Sequence, residues 1–252
     1  MFQKKLILTG FRGSIAHNLH IPREKDDVFG IDDVDYMEFY CFPIEYYLSL
    51  EGYQRTQDVE EEKHDDIDIV RYEIRKALHL LANCNPNVVQ FLYNKPQHYQ
   101  HISKGAKLLL AQKDIFVNKR RIKEAFIGYA HDQLKRLVRG AFKGYMGEKR
   151  KRIVKQFGYD TKNATTLIRL LRQGKEFLQT GMLKVYRDED RDLLLDIKRG
   201  KYSLDELQVM AKREFAQVEA AYKSSSLPEE SNKAKINELL VKIIKIENTI
   251  SK

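Results

Sequence analysis

The sequence predicts an α+β chain, with an N-terminal mixed sheet and flanking helices followed by a helical C-terminal domain. Two observations carry that prediction. The first half alternates short β-rich runs with apolar residues at helical spacing. From about Lys113 onward, nearly every segment carries an apolar stripe of helical period. The change falls near residues 105–115, so the expected domains are 1–112 and 113–252.

Lys5 to Leu8 (KLIL) reads as a strand that runs into the turn signals Thr9-Gly10 and Arg12-Gly13. Val34 to Phe42 is rich in aromatic residues that favour strands, and Pro43 breaks it before the helix-like IEYYLSLEG. Residues 54–65 are polar and densely charged, which reads as a mobile loop. Ile67 to Tyr72 alternates as a strand and passes into a helix over Glu73–Asn83, with Ile74, Ala77, Leu78 and Leu81 on one face. Asn85-Pro86-Asn87 ends that helix and starts another.

In the second half, Ile122, Phe126, Ala130, Leu134, Leu137 and Val138 line one side of a helix. Asp160 is placed to cap TKNATTLIRLLRQGKEFLQTG, which Gly181 closes. Ser203 with Glu206 fits a capping box for LDELQVMAKREFAQVEAAY. SSSLPEESN is a linker to a last amphipathic helix through INELLVKIIKIENTI, and no internal repeat is present.

Composition narrows the function classes. Hydrophobic residues make up 42% and aromatic residues 10%, enough for a packed core, which excludes wholesale disorder. Lys and Arg total 45 against 36 Asp and Glu, and the net charge of +9 suits a polyanionic partner such as nucleic acid or a nucleotide. Cys41 and Cys84 form no CxxC pair, so a structural zinc site is not expected and both read as free thiols in a reducing compartment. No run approaches the ~18 apolar residues that span a membrane. The N-terminal apolar run is broken by Gly10, Arg12 and Gly13, too short for a signal-peptide core, so a cytoplasmic location without membrane partners is expected.

The chemistry concentrates in the first half. Carboxylates at i and i+2 of a strand point to the same side and can share divalent ions. Asp33 and Asp35 have that spacing, and Asp32 points the other way if the strand is regular. Asp68 on the later strand supplies a third carboxylate, with Asp66 on its face. Gly13-Ser14 follows a strand and precedes SIAHNL, so backbone N–H groups and the Ser hydroxyl can meet a phosphate. A lone DxD or Gly-Ser pair is an ordinary surface feature, and Asp26-Asp27 is read as loop. Together these residues form a constellation for two-metal chemistry, in which hard Mg²⁺ ions sit roughly 3.5–4 Å apart between carboxylate and phosphate oxygens.

GSIAHNLHIP followed by DDVDYM resembles the GS-x-AHGT … DDxDxMGV pattern of DNA polymerase beta-type nucleotidyltransferases. It is most similar to the RNA repair pathway DNA polymerase beta family, in which phage members are common. DIDIVRYEIRKALHLLANCNPNVVQFLY, FIGYAHDQLKRL, TKNATTLIRLLRQGKEFLQTG and LLLDIKRGKYSLDEL continue the resemblance over nearly the whole chain. The resemblance implies Gly13 and Ser14 for phosphate, Asp33, Asp35 and Asp68 for catalysis and metal, Mg²⁺ or Mn²⁺ as the ion, and an NTP as substrate. The chain departs from the pattern at Asn18-Leu19, which replace Gly-Thr, and at Glu38-Phe39, which replace Gly-Val.

The second half supplies candidate anion contacts. Residues 119–155 hold 13 Lys or Arg against three acids, with Tyr129, Phe142 and Tyr145 interleaved. Lys119, Arg120, Arg121, Lys135, Arg136, Arg139, Lys149 and Arg150 are the expected nucleic-acid contacts, and a solvated helix face is the alternative. Lys162, Arg169 and Arg172 lie on or near one face of a helix and are candidates for the triphosphate, or a surface row. His17 is a candidate phosphate or base contact, or a packing residue. The expected activity is transfer of a nucleoside monophosphate from an NTP to an acceptor hydroxyl, foremost an RNA 3′ end such as that of a tRNA. The alternatives are a protein or small-molecule acceptor, or a non-catalytic RNA-binding protein on a decayed fold.

Overall fold

The structure is a computed structural model that describes residues 2–22, 32–50, 59–64, 67–138 and 148–249. Asp66, Arg139, Phe142 and Tyr145 lie outside the described residues, as do the side chains of Lys149 and Arg150. The fold is α+β: a five-stranded mixed sheet near the N-terminus and a mostly helical C-terminal region. Among the described residues no helix is long and apolar enough to cross a membrane.

The chain forms two compact units, neither continuous in sequence. The first comprises Met1–Ala16, Asp33–Val117 and Glu230–Lys252; the second comprises His17–Asp32 and Asn118–Glu229.

The first unit is built on strands β1 (Lys5–Phe11), β2 (Val34–Cys41), β3 (Val59–His64), β4 (Ile67–Glu73) and β5 (Tyr99–Ile102), in the order β3-β4-β2-β1-β5. The β2–β4 pair is parallel and the other pairs are antiparallel. Side chains alternate faces along a strand. Met37 and Phe39 of β2 therefore share one face with Val70 of β4, and all three are buried. Phe39 packs edge-on against Phe91 at a centroid distance of 5.1 Å. Tyr40, Phe42 and Tyr46 form a second aromatic cluster with Phe2 and Tyr47.

Residues 59–64, read from sequence as part of a mobile loop, form strand β3 instead. Cross-strand charge pairing explains the difference: Arg71 of β4 reaches both Glu38 of β2, at 2.5 Å, and Glu62 of β3. A hydrogen bond with His64, followed by the hydrogen bond and charge of Arg71, brings the Glu62 carboxyl down to about 2. Three adjacent glutamates also suit an edge strand, since charge there discourages pairing with another chain.

Helix α1 (Gly13–Ala16) is one turn directly after β1, and α2 (Ile44–Leu48) follows β2. Helix α3 (Ile74–Ala82) is capped by Glu73, whose side chain accepts from Arg75 N. Helix α4 (Pro86–Val89) is capped by Asn85. Ser103 caps α5 (Lys104–Ala111), and the last helix, α11 (Lys233–Asn248), packs in the same unit. Buried Glu247 of α11 accepts from Gly105 N at 2.6 Å and from Ser103 Oγ at 2.5 Å, at the start of α5.

The second unit contains α6 (Lys119–Val138), α7 (Glu148–Phe157), α8 (Thr161–Thr180), α9 (Arg191–Lys198) and α10 (Leu204–Ser224). Helix α8 runs through its core, burying Ala164, Leu167, Ile168 and Leu171. Asp160 accepts from Lys162 N and Asn163 N, and Gly181 ends α8 at φ +70°. Ser203 and Glu206 close a reciprocal capping box on α10. Gly174 permits a close approach to α6, because a Cβ there would lie 3.1 Å from Phe126 Cβ.

Candidate active site

The parallel register of β2 and β4 makes Asp35 and Asp68 direct partners across the sheet. Directly opposed residues point to the same face, so the two carboxylates stand side by side, each about a quarter exposed. Lys63 of β3 is the register partner of Asp68 on its other side, and it too shares that face. Asp33 lies one residue ahead of β2 and is half-buried.

The turn after β1 rests on this pair. Arg12 N donates to Asp35 O at 2.9 Å, and Gly13 follows at φ +63°. A Cβ on Gly13 would fall 2.2 Å from Asp35 Oδ2, so this position needs glycine both for its backbone angle and for its space. Ser14 follows within α1. Arg12 Nη2 lies 3.7 Å from Asp35 Oδ1 and 3.5 Å from Asp68 Oδ1, and so spans both carboxylates. Sequence reasoning did not single out Arg12; its position immediately before Gly13 was the available signal.

Among the described residues, no three or more His, Cys, Asp or Glu side chains gather as a metal cage. The donor chemistry nevertheless fits Mg²⁺, which is commonly held by one or two carboxylates and completes its shell with water and substrate phosphate. Asp35 and Asp68 are such a pair, and the Arg12 guanidinium near both marks a place for positive charge.

Asp32, next in sequence to Asp33, belongs to the second unit and has other partners. It accepts from Ile21 N at 3.0 Å, forms an ion pair with Lys198, and lies 4.0 Å from Lys162 Nζ. Its side chain is only 5% exposed, which makes it an anchor for α9.

His17 is buried, with Nδ1 3.1 Å from Val185 O. Burial, followed by the nearby Arg169 charge, lowers its pKa well below the usual histidine value, so the ring is neutral near pH 7. Arg169 is also buried and donates to Gln173 Oε1 at 2.7 Å. Burial, followed by repulsion from Arg187, brings Arg169 down to about 10. Arg172 pairs with Asp190 at 3.3 Å and Glu214 at 3.2 Å. Of the three basic α8 candidates, Lys162 presents its side chain most openly, at 53% exposure.

Along α6, Arg120 and Arg121 are exposed and pair with Glu124, while Lys119 pairs with Glu229 at 2.9 Å. Lys135 and Arg136 are exposed in its last turn. Phe126 is core and Tyr129 half-buried.

The departures from the family pattern have local explanations. Asn18 stands where the pattern has glycine and adopts φ +62°, a region that asparagine tolerates better than most residues. Its Nδ2 donates to Arg187 O at 3.1 Å, and Leu19 is buried. Glu38 replaces the second glycine but points to the sheet face opposite Asp35, where Arg71 holds it. Phe39 packs in the core. Glu38, on the opposite face of the sheet, does not crowd the carboxylate pair.

The chain thus presents paired carboxylates on a mixed sheet beside a Gly-Ser turn. The RNA repair pathway DNA polymerase beta family matches residues 27–242, and the chain belongs to that family. No curated protein matches the chain.

Proposed function

We propose that the protein is a metal-dependent nucleotidyltransferase that moves a nucleoside monophosphate from an NTP to the 3′ hydroxyl of an RNA, such as a tRNA, and releases pyrophosphate. The observation that carries this reading is the in-register Asp35–Asp68 pair with Gly13 packed against it. Family membership supports both the chemistry and an RNA partner.

In this reading Asp35 and Asp68 would hold Mg²⁺ or Mn²⁺, with Asp33, one residue ahead of β2, as a further candidate ligand. When bound, the metal supplies positive charge to the attacking and leaving oxygens. Gly13 and Ser14 hold a phosphate through backbone N–H groups and the Ser hydroxyl. Asp68 takes the proton of the acceptor hydroxyl, whose oxygen bonds to the α-phosphorus as the bond to pyrophosphate breaks. Lys162, Arg169, Arg172 and His17 are the proposed nucleotide contacts of the helical unit. Lys119, Arg120, Arg121, Lys135 and Arg136, with Arg139, Lys149 and Arg150, are its proposed RNA contacts.

The test is to incubate the protein with Mg²⁺, total RNA and each labelled NTP in turn. Labelled RNA and equimolar pyrophosphate are expected with at least one nucleotide. Pyrophosphate release that labels a protein or small molecule would move the acceptor assignment. RNA binding without any release would identify a binding protein on this fold.

A further inference from the structure

Two carboxylates held side by side by strand register repel each other unless a positive charge stands near both. In this chain the guanidinium of Arg12 provides that charge. Its mode of contact is unusual for a structural arginine. The Nη2 distances of 3.7 and 3.5 Å exceed the roughly 2.7–2.9 Å of a charge-assisted hydrogen bond. Arg12 Nε is buried and has no hydrogen-bond partner. An arginine that locks a fold places its fork on a carboxylate and satisfies its N–H groups, as Arg187 does with Glu176 and Asp190 at 2.7–2.8 Å. Arg12 neutralises the pair without being fastened to it.

The backbone around Arg12 is fixed, by contrast. Its N–H donates to Asp35 O at 2.9 Å, and the next residue is the tightly packed Gly13. Among the described residues the guanidinium is held only by contacts of 3.5 and 3.7 Å, and the root of the side chain lies at the start of the Gly13-Ser14 turn.

We propose that Arg12 is a placeholder cation and a triphosphate ligand. Its guanidinium occupies the carboxylate pair in the substrate-free protein, yields that place to the divalent metal, and turns to the phosphates held at the adjacent turn. The inference rests on the nucleotidyltransferase reading and adds a nucleotide-binding residue to it. Metal and Arg12 compete for the same two oxygens, so metal alone binds weakly and metal with NTP binds well. The site is thereby protected from holding a metal without its substrate.

The experiment measures Mn²⁺ binding by electron paramagnetic resonance, without nucleotide, in the wild type, Arg12→Gln and Asp35→Asn. Removal of the competing charge is expected to tighten Mn²⁺ binding about fivefold in Arg12→Gln, the worth of one partly exposed ion pair. Asp35→Asn is expected to lose binding. With saturating Mg²⁺, Arg12→Gln is expected to bind a non-hydrolysable ATP analogue more weakly than the wild type. Unchanged or weaker Mn²⁺ affinity in Arg12→Gln, with binding lost in Asp35→Asn, overturns the placeholder and leaves the metal site standing. Absence of Mn²⁺ binding in all three proteins overturns both. If Arg12→Gln does not fold, the Arg12 Nε–H resonance of ¹⁵N-labelled wild type decides. It is expected to move on addition of Mg²⁺ with the ATP analogue, and an unmoved resonance overturns the proposal.

Discussion

Gly13 packs against Asp35 so closely that the space for one methyl group is already taken by the Asp35 carboxylate. The turn and the carboxylate are thus one steric unit, and a change in either is felt by the other.

Gly13→Ala combines that clash with a backbone angle of +63°. The expected loss of stability is about 1–3 kcal/mol. Displacement of the Asp35 carboxylate is expected to cut NTP turnover by about a hundredfold, the scale of a roughly 1 Å misplacement at a reacting centre. Thermal melts and pyrophosphate release measure the two effects separately. A variant with normal turnover would show that Asp35 does not serve the reaction.

Asp33→Ala, Asp35→Ala and Asp68→Ala are each expected to lower turnover by at least about a hundredfold, as when one preorganised charge contact is removed. Folding stability is expected to change by less than about 1 kcal/mol, because the ion pairs of Asp35 and Asp68 are long and partly exposed. Near-wild-type turnover in Mg²⁺ for Asp33→Ala would confine the metal to Asp35 and Asp68.

His17 predicts a pH dependence. Burial, followed by Arg169, depresses its pKa in the folded protein below the unfolded value of about 6.5. Below that pH the unfolded chain takes up a proton that the folded chain refuses. Stability from this group is therefore full above about pH 6.5 and falls as the pH drops, until the folded pKa is reached. Melting temperatures from pH 7.5 down to 5 are expected to decline in the wild type and to decline less in His17→Gln. Equal slopes would mean that His17 is protonated within the fold.

RNA affinity is expected to fall steeply with salt, by about 0.7 log units per phosphate contact per log unit of salt for a single strand. Lys135→Ala with Arg136→Ala, both exposed in the last turn of α6, is expected to reduce that slope by about 1.4. An unchanged slope would remove this end of α6 from the RNA interface.

What the sequence made legible was local. The Asp160 cap, the Gly181 stop and the Ser203–Glu206 box are set by residues within a few positions of one another, and each forms where its spacing indicates. Strand β3 was not legible, because VEEEKH has the composition of a solvated loop and gains its pairing from Arg71 and β4. Strand β5 and helix α5 also went unread; the Ser103 cap and the short run Tyr99–Ile102 are weak signals alone. In the candidate site, the i, i+2 spacing of Asp33 and Asp35 was visible. The direct opposition of Asp35 and Asp68 depends on parallel register, which no local pattern encodes. The left-handed backbone of Asn18 was equally hidden behind an apparent loss of glycine.

Glu247 has a consequence for the order of events during synthesis. Its carboxylate completes the N-terminal end of α5, yet it lies 142 positions after Gly105 in the chain. The ribosome makes the strands bearing Asp35 and Asp68 early, but the helix that closes their unit emerges only after residues 118–229. The first unit must therefore wait, unfinished, while the whole of residues 118–229 is produced. A nascent chain stalled anywhere in that stretch would carry Asp35 and Asp68 without the helix that caps α5, so completion of the first unit is coupled to synthesis of the second.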